Sequence, residues 1–222
     1  MKPLFEGEVY EILPLSNGIM FSYCKEIIDG RIIVSYKMVS FDDGHINDIT
    51  KNVFLGEKFG INYQEVIKQC EHYITDKAIQ LPSGKTLIHS KNGVIKLIDT
   101  DAQVSWEGKL TYRDFNASDI VIYKNSLWAC FKDCDILLRY NLNTMREELR
   151  IGGNKSPFKQ PRRMFLENEN VYVSNIGSKK VNRVNLESYT VNDEIEFEEE
   201  VFQYLKVDIY RFVILKSGLY MI

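Results

Sequence analysis

Leu127-Trp128-Ala129-Cys130, followed by Arg139-Tyr140-Asn141-Leu142, reappears 44 residues later as Val171-Tyr172-Val173-Ser174 followed by Arg183-Val184-Asn185-Leu186. The same step lays Ile120-Val121-Ile122 on Met164-Phe165-Leu166. A further copy, offset by 48 residues, aligns Arg163-Met164-Phe165-Leu166 and Val171-Tyr172-Val173 with Arg211-Phe212-Val213-Ile214 and Leu219-Tyr220-Met221. Periods of about 40–50 residues made of short strands indicate propeller blades or similar β-arrays. In the 114–153 unit, an apolar run at 119–123 and strand-like segments at 127–131, 136–142 and 145–151 are divided by Lys124-Asn125-Ser126, Lys132–Asp135 and Asn143-Thr144. These read as four antiparallel strands joined by turns.

Working outward, the expectation is an all-β chain, one β-propeller domain over residues 1–222, of about five four-stranded blades. Their approximate bounds are 7–56, 77–113, 114–153, 154–200 and 201–222. The fifth unit stops after what reads as its second strand, so it is either incomplete or closed by a strand from Met1–Glu8. One stretch breaks the period. Val66, Ile67, Cys70, Tyr73 and Ile74 recur at steps of three and four, which predicts an inserted helix near 63–76.

The chain has 222 residues, a formal net charge of −3 and 45% hydrophobic residues, enough for a sizeable core and without the basic excess of a nucleic-acid binder. No apolar run reaches the length of a membrane span, and charges and Pro3 interrupt the first residues before a leader could form. Cys24, Cys70, Cys130 and Cys134 are too dispersed for a disulfide framework and read as reduced thiols, with a Cys130–Cys134 bridge as the alternative. The expected location is cytoplasmic. His45, His72 and His89 lack metal-ligand spacing, and no phosphate loop, nucleophile elbow or dinucleotide fingerprint is present. Neither a metal site nor a cofactor is expected.

The segment Ser156-Pro157-Phe158-Lys159-Gln160-Pro161-Arg162-Arg163-Met164, then Val171-Tyr172-Val173-Ser174-Asn175 and Lys180-Val181-Asn182-Arg183-Val184, resembles an NHL-type repeat. The resemblance is best over residues 119–222 and marginal over 7–106, and it implies a β-propeller. Propellers of this kind include interaction platforms, RNA or sugar binders, lactonases and lyases, so it does not fix a function. Related metal-dependent lactonases carry a first-blade Glu on an inner strand, a place Glu11 would take. Asn175 and Asp119 are the nearest candidates for the partner ligands, and neither lies in a recognisable motif.

Aligning the units places Glu11, Asp119, Arg163 and Arg211 at one position, the start of the inner strand beside the central channel, with Ile79 as the counterpart in the second unit. Turns between second and third strands add Lys132, Asp133 and Asn175 on the same face. Two consequences are open. The two arginines bind an anionic ligand through their guanidinium forks, or Arg163 pairs with Asp119 and Arg211 with Glu11. The sequence thus reads as a non-catalytic binding or protein-interaction module. Its partner would be an unknown protein or a small anionic ligand, bound by Glu11, Asp119, Arg163, Arg211, Lys132, Asp133 and Asn175. Neither nucleic acid nor membrane is expected, and the unfinished last blade suggests a homo-oligomer. The alternative is a lactonase- or lyase-like enzyme using the channel mouth.

Overall fold

A computed structural model describes residues 1–15, 17–29, 31–42, 45–49, 76–90 and 92–222. The helix expected at 63–76 lies outside the described residues except for Asp76, which opens a strand. The one helical element among the described residues is a 3-10 turn at Lys132–Cys134.

The protein has a β-propeller fold with five four-stranded blades. The first contains β2 (Val9–Leu15), β3 (Gly18–Ile28), β4 (Arg31–Asp42) and β5 (His45–Ile49) in that order. The second is β6 (Asp76–Gln80), β7 (Thr86–Ser90), β8 (Val94–Ile98) and β9 (Val104–Lys109). A small hairpin, β10 (Thr111–Tyr112) with β11 (Phe115–Asn116), follows it. The third is β12 (Asp119–Tyr123), β13 (Ser126–Phe131), β14 (Ile136–Asn141) and β15 (Glu147–Gly152). The fourth is β16 (Pro161–Glu167), β17 (Asn170–Asn175), β18 (Lys180–Asn185) and β19 (Val191–Glu196). The last sheet has the order β1-β22-β21-β20, where β1 is Lys2–Glu6, β20 is Val201–Val207, β21 is Tyr210–Leu215 and β22 is Gly218–Met221.

That last sheet corrects two expectations. The C-terminal stretch supplies three strands rather than two, and β1 completes the sheet by pairing Lys2 with Met221 and Glu6 with Gly218. The offset of 48 is wrong for the same reason. Val201–Val207 is the first strand, so the fourth and fifth units align at a step of 40, and Gln203 rather than Arg211 corresponds to Arg163.

The shared Arg-x-Asn-Leu residues are structural. Asn141 Oδ1 accepts hydrogen bonds from the backbone N–H groups of Asn143 and Thr144, and Asn185 Oδ1 does so from Glu187 and Ser188. Each closes the turn between third and fourth strands as an Asx turn. Arg139 reaches Glu148 across the sheet at 3.3 Å, and Arg183 reaches Glu194 at 3.5 Å. The hairpins between first and second strands use two-residue loops whose leading residue, Lys124 or Asn168, has positive φ, matching the right-handed twist of the strands.

By contacts the chain divides into two compact units, Thr75–Tyr204 and Met1–Ile74 with Leu205–Ile222. In the former, the first three strands of the third blade are largely buried, which is why they read as nearly continuous apolar runs, whereas β15 is mostly exposed. Ile120, Ala129 and Leu138 pack with Leu87 and Ile95 of the second blade. Val121, Trp128 and Leu137 pack with Val171, Val173 and Val184 of the fourth. In the other unit, Phe5 of β1 lies 5.3 Å from Phe21 and 4.7 Å from Tyr23, centroid to centroid, and Phe41 stacks on Phe212 at 5.7 Å.

A Cβ added at Gly218 would sit 2.1 Å from the Phe5 carbonyl oxygen, a contact with backbone that no rotamer relieves. Gly218→Ala should therefore separate β1 from β22 and lower stability by about 2 kcal/mol or more. The midpoint of urea unfolding measures this, and an unchanged midpoint would contradict the pairing.

Candidate functional site

The start of each first strand carries a buried or half-buried polar side chain, for a reason visible in the register. Glu11 stands opposite Ser22, Lys77 opposite His89, Asp119 opposite Cys130 and Arg163 opposite Ser174. Charged first-strand residues thus face small or ionisable second-strand residues in four blades. In two of them, a register shift immediately before Glu11 and before Arg163 turns the charged side chain relative to the strand.

Within the unit spanning Thr75–Tyr204, Asp119 is the centre of this arrangement, with 2% of its surface exposed. Its Oδ1 accepts hydrogen bonds from Lys77 Nζ at 2.8 Å and from the Ile120 N–H at 2.9 Å. Its Oδ2 accepts from the Met164 N–H at 2.7 Å. Burial raises the cost of the charge, but the Lys77 ammonium, the Arg163 guanidinium and these hydrogen bonds prevail and hold the carboxyl below its usual value. Arg163 donates to the Ser118 carbonyl at 3.1 Å, and Ser118 Oγ accepts the Lys132 N–H at 3.1 Å. Burial, reinforced by the Asp119 charge, pushes the Cys130 thiol far up, so it stays protonated.

The seven residues chosen from the sequence separate into distinct environments. Arg163 lies near enough to Asp119 to help hold its carboxyl ionised, and Lys77 forms an ion pair with Asp119 at 2.8 Å. The repeat alignment passes over Lys77 because it places Ile79 at this position. The available signal was that Lys77 lies two residues earlier, on the same face of the strand.

Lys132 and Asp133 lie in the 3-10 turn between β13 and β14, Lys132 half-buried and Asp133 exposed. Asn175 is fully buried, and the chain itself takes up its amide. Its Nδ2 donates to the Val173 carbonyl and to Asn182 Oδ1, while its Oδ1 accepts the Lys159 N–H at 3.2 Å. It fastens the second-to-third-strand turn of the fourth blade.

Glu11 and Arg211 belong to the other unit. Glu11 is buried on β2, whereas Arg211 is exposed on β21, the second strand of its sheet, so the two do not share a position. No ion pair of Arg211 occurs among the described residues, and its carbonyl accepts the Ile222 N–H. Cys24, Cys130 and Cys134 carry free thiols. No helix among the described residues is long and apolar enough to cross a membrane.

No protein-family model matches the sequence, and no curated protein does. Among solved structures, the computationally designed Ika8 protein is similar over 96% of this chain and 70% of its own, at 11% identity and a TM-score of 0.52. Sqt1 of Saccharomyces cerevisiae is similar over 95% of this chain and 70% of its own, at 12% identity and a TM-score of 0.50. At such identities the likeness is one of fold alone.

Asp119→Asn keeps the shape but removes the counter-charge facing Lys77, and should cost about 3 kcal/mol or more in chemical unfolding at neutral pH. Because the folded-state value of Asp119 is depressed, its stabilisation is complete above the unfolded-state value near 3.9 and vanishes as the pH falls through the lower folded value. Wild type should therefore lose stability more steeply than Asp119→Asn on acidification below about pH 4. Parallel pH profiles would show that Asp119 does not carry this charge.

Proposed function

We propose that this chain is a non-catalytic protein-interaction module built from NHL-like repeats. One observation carries the reading. The hairpin formed by β3 and β4 bears four exposed isoleucines, with 63% of Ile27, 50% of Ile28, 50% of Ile32 and 38% of Ile33 accessible to solvent. Scattered exposed apolar residues need no explanation, but contiguous ones mark contact surfaces. Among the described residues, pairing of β2 with β3 reaches only Tyr23 and that of β5 with β4 only Met38, so these isoleucines lie beyond the described extent of both flanking strands. The charged neighbours Lys25, Glu26 and Asp29 are exposed too, and charge at the tip of the hairpin favours a protein surface over a lipid interior.

The NHL-like reading is supported by the roles its motif residues take. Phe158 is buried, Pro161 opens β16, Tyr172 and Val173 lie on β17, and Lys180 to Arg183 lie on β18. The enzymatic alternative needs a residue able to exchange a proton or attack a carbonyl. Asp119 is held ionised with both oxygens engaged, and Cys130 is held protonated and buried, so neither suits that task at neutral pH. A small anionic ligand remains our second reading, at Arg163 and the turn that carries Lys132 and Asp133, both of which meet Ser118: Arg163 donates to its carbonyl and the Lys132 N–H to its hydroxyl. It is favoured by the Ser174 hydroxyl, fully buried in register with Arg163 and without a hydrogen-bond partner among the described residues.

Exposed side chains contribute little to folding, so Ile27→Asp with Ile32→Asp should leave the circular dichroism and the unfolding midpoint within about 0.5 kcal/mol of wild type. The same variant should fail to retain the proteins that immobilised wild type retains from a cell extract. An identical retained set would remove the hairpin from the proposal.

A further inference from the structure

We infer that the β3–β4 hairpin pairs with the same hairpin of a second copy of this chain, edge to edge about a two-fold axis through Ile27. This rests on the interaction-module reading and names the partner. Ile28 stands opposite Arg31 and Ile27 opposite Ile32, so the strands are joined by a two-residue loop led by Asp29 in the left-handed conformation. In such a hairpin the residues flanking the loop form the hydrogen-bonded pair, and the groups of the next residue point away from the partner strand. The N–H and C=O of Ile27 therefore face outward along the edge of β3. Beyond the hydrogen bond from the Cys24 N–H to the Glu8 carbonyl, no backbone partner lies on that edge among the described residues. An exposed, unpaired edge bearing isoleucine is a template for another strand.

The segment Lys25-Glu26-Ile27-Ile28-Asp29 is complementary to itself. Antiparallel pairing centred on Ile27 lets the two Ile27 residues exchange both backbone hydrogen bonds. It also brings Lys25 toward Asp29 of the other copy, and Asp29 toward its Lys25, so opposite charges meet at both ends. Cross-strand opposition then aligns Ile32, Ile27 and the same two residues of the second copy in one apolar row across four strands. On the other face, Glu26 of each copy falls between Ile33 of its own hairpin and Ile28 of the other. A two-fold contact is isologous by construction, so each requirement is met twice by one sequence. Among the described residues, the one competing ion pair is Lys25 with Glu26, exposed and 3.7 Å long, which holds Lys25 weakly.

Sedimentation of the full chain should show a monomer–dimer equilibrium that shifts with concentration. Lys25→Asp and Asp29→Lys should each weaken it about threefold to tenfold, since each places like charges across both ends. The double variant should restore it, because the reversed charges complement each other again. For a direct measure, Ile27→Cys in a Cys24→Ser background should form a disulfide-linked dimer under mild oxidation, the residues being close enough across the axis. Cys introduced at Ile209, 82% exposed, is the control and should cross-link far more slowly. A strict monomer at several hundred micromolar, no rescue in the double variant, or equal cross-linking at both positions would overturn self-pairing. If the chain is monomeric yet Ile27→Asp with Ile32→Asp still abolishes retention of other proteins, self-pairing fails and the interaction-module reading stands. If dimerisation proceeds unchanged in that variant, the hairpin is not its interface.

Discussion

Three successive blades of the Thr75–Tyr204 unit are tied at a single buried carboxylate. Asp119 belongs to the third blade, takes an ammonium from Lys77 of the second and receives a backbone N–H from Met164 of the fourth. Packing between neighbouring sheets is apolar and non-directional, and it tolerates small sliding between them. A charge in the interior does not, because each lost partner leaves it uncompensated. The carboxylate thus fixes the relative register of three first strands, a task the valines and leucines around it cannot perform.

The same site explains why charged residues at first-strand positions resemble a binding ring when read from sequence. Alignment correctly found that Asp119 and Arg163 are equivalent and adjacent. It could not show that both oxygens of Asp119 would be engaged within the chain, since backbone donors such as the Met164 N–H leave no trace in side-chain chemistry. Lys77 escaped notice because the second blade has shorter strands and its charge lies two residues from the apolar position that the alignment favoured. Asn175 looked like a loop residue but is the buried pin of its turn.

The fold was more legible than the site. Turn residues, apolar runs and the 44-residue step are local and repeat, so the third and fourth blades could be drawn from the sequence with few errors. The fifth is legible only in part: closure by a strand from Met1–Glu8 is one of two alternatives the sequence leaves open, and β1 supplies it. What the repeat alignment misses is Val201–Val207 as the first strand, which makes Arg211-Phe212-Val213 read as a first strand although it belongs to the second. Pairing between distant segments is set by the register that tertiary packing allows, here with Phe5 against Phe21 and Tyr23, rather than by propensity.

The geometry of that closing pair also decides how it responds to force. Lys2 sits opposite Met221 and Glu6 opposite Gly218, so the outer ends of both strands lie at the same end of the pair. Tension applied between residue 1 and residue 222 loads the hydrogen bonds one after another, starting at Lys2, instead of shearing all of them together. The contact that completes the sheet would therefore open as a zipper, peeling inward to Phe5 before the rings behind it are disturbed.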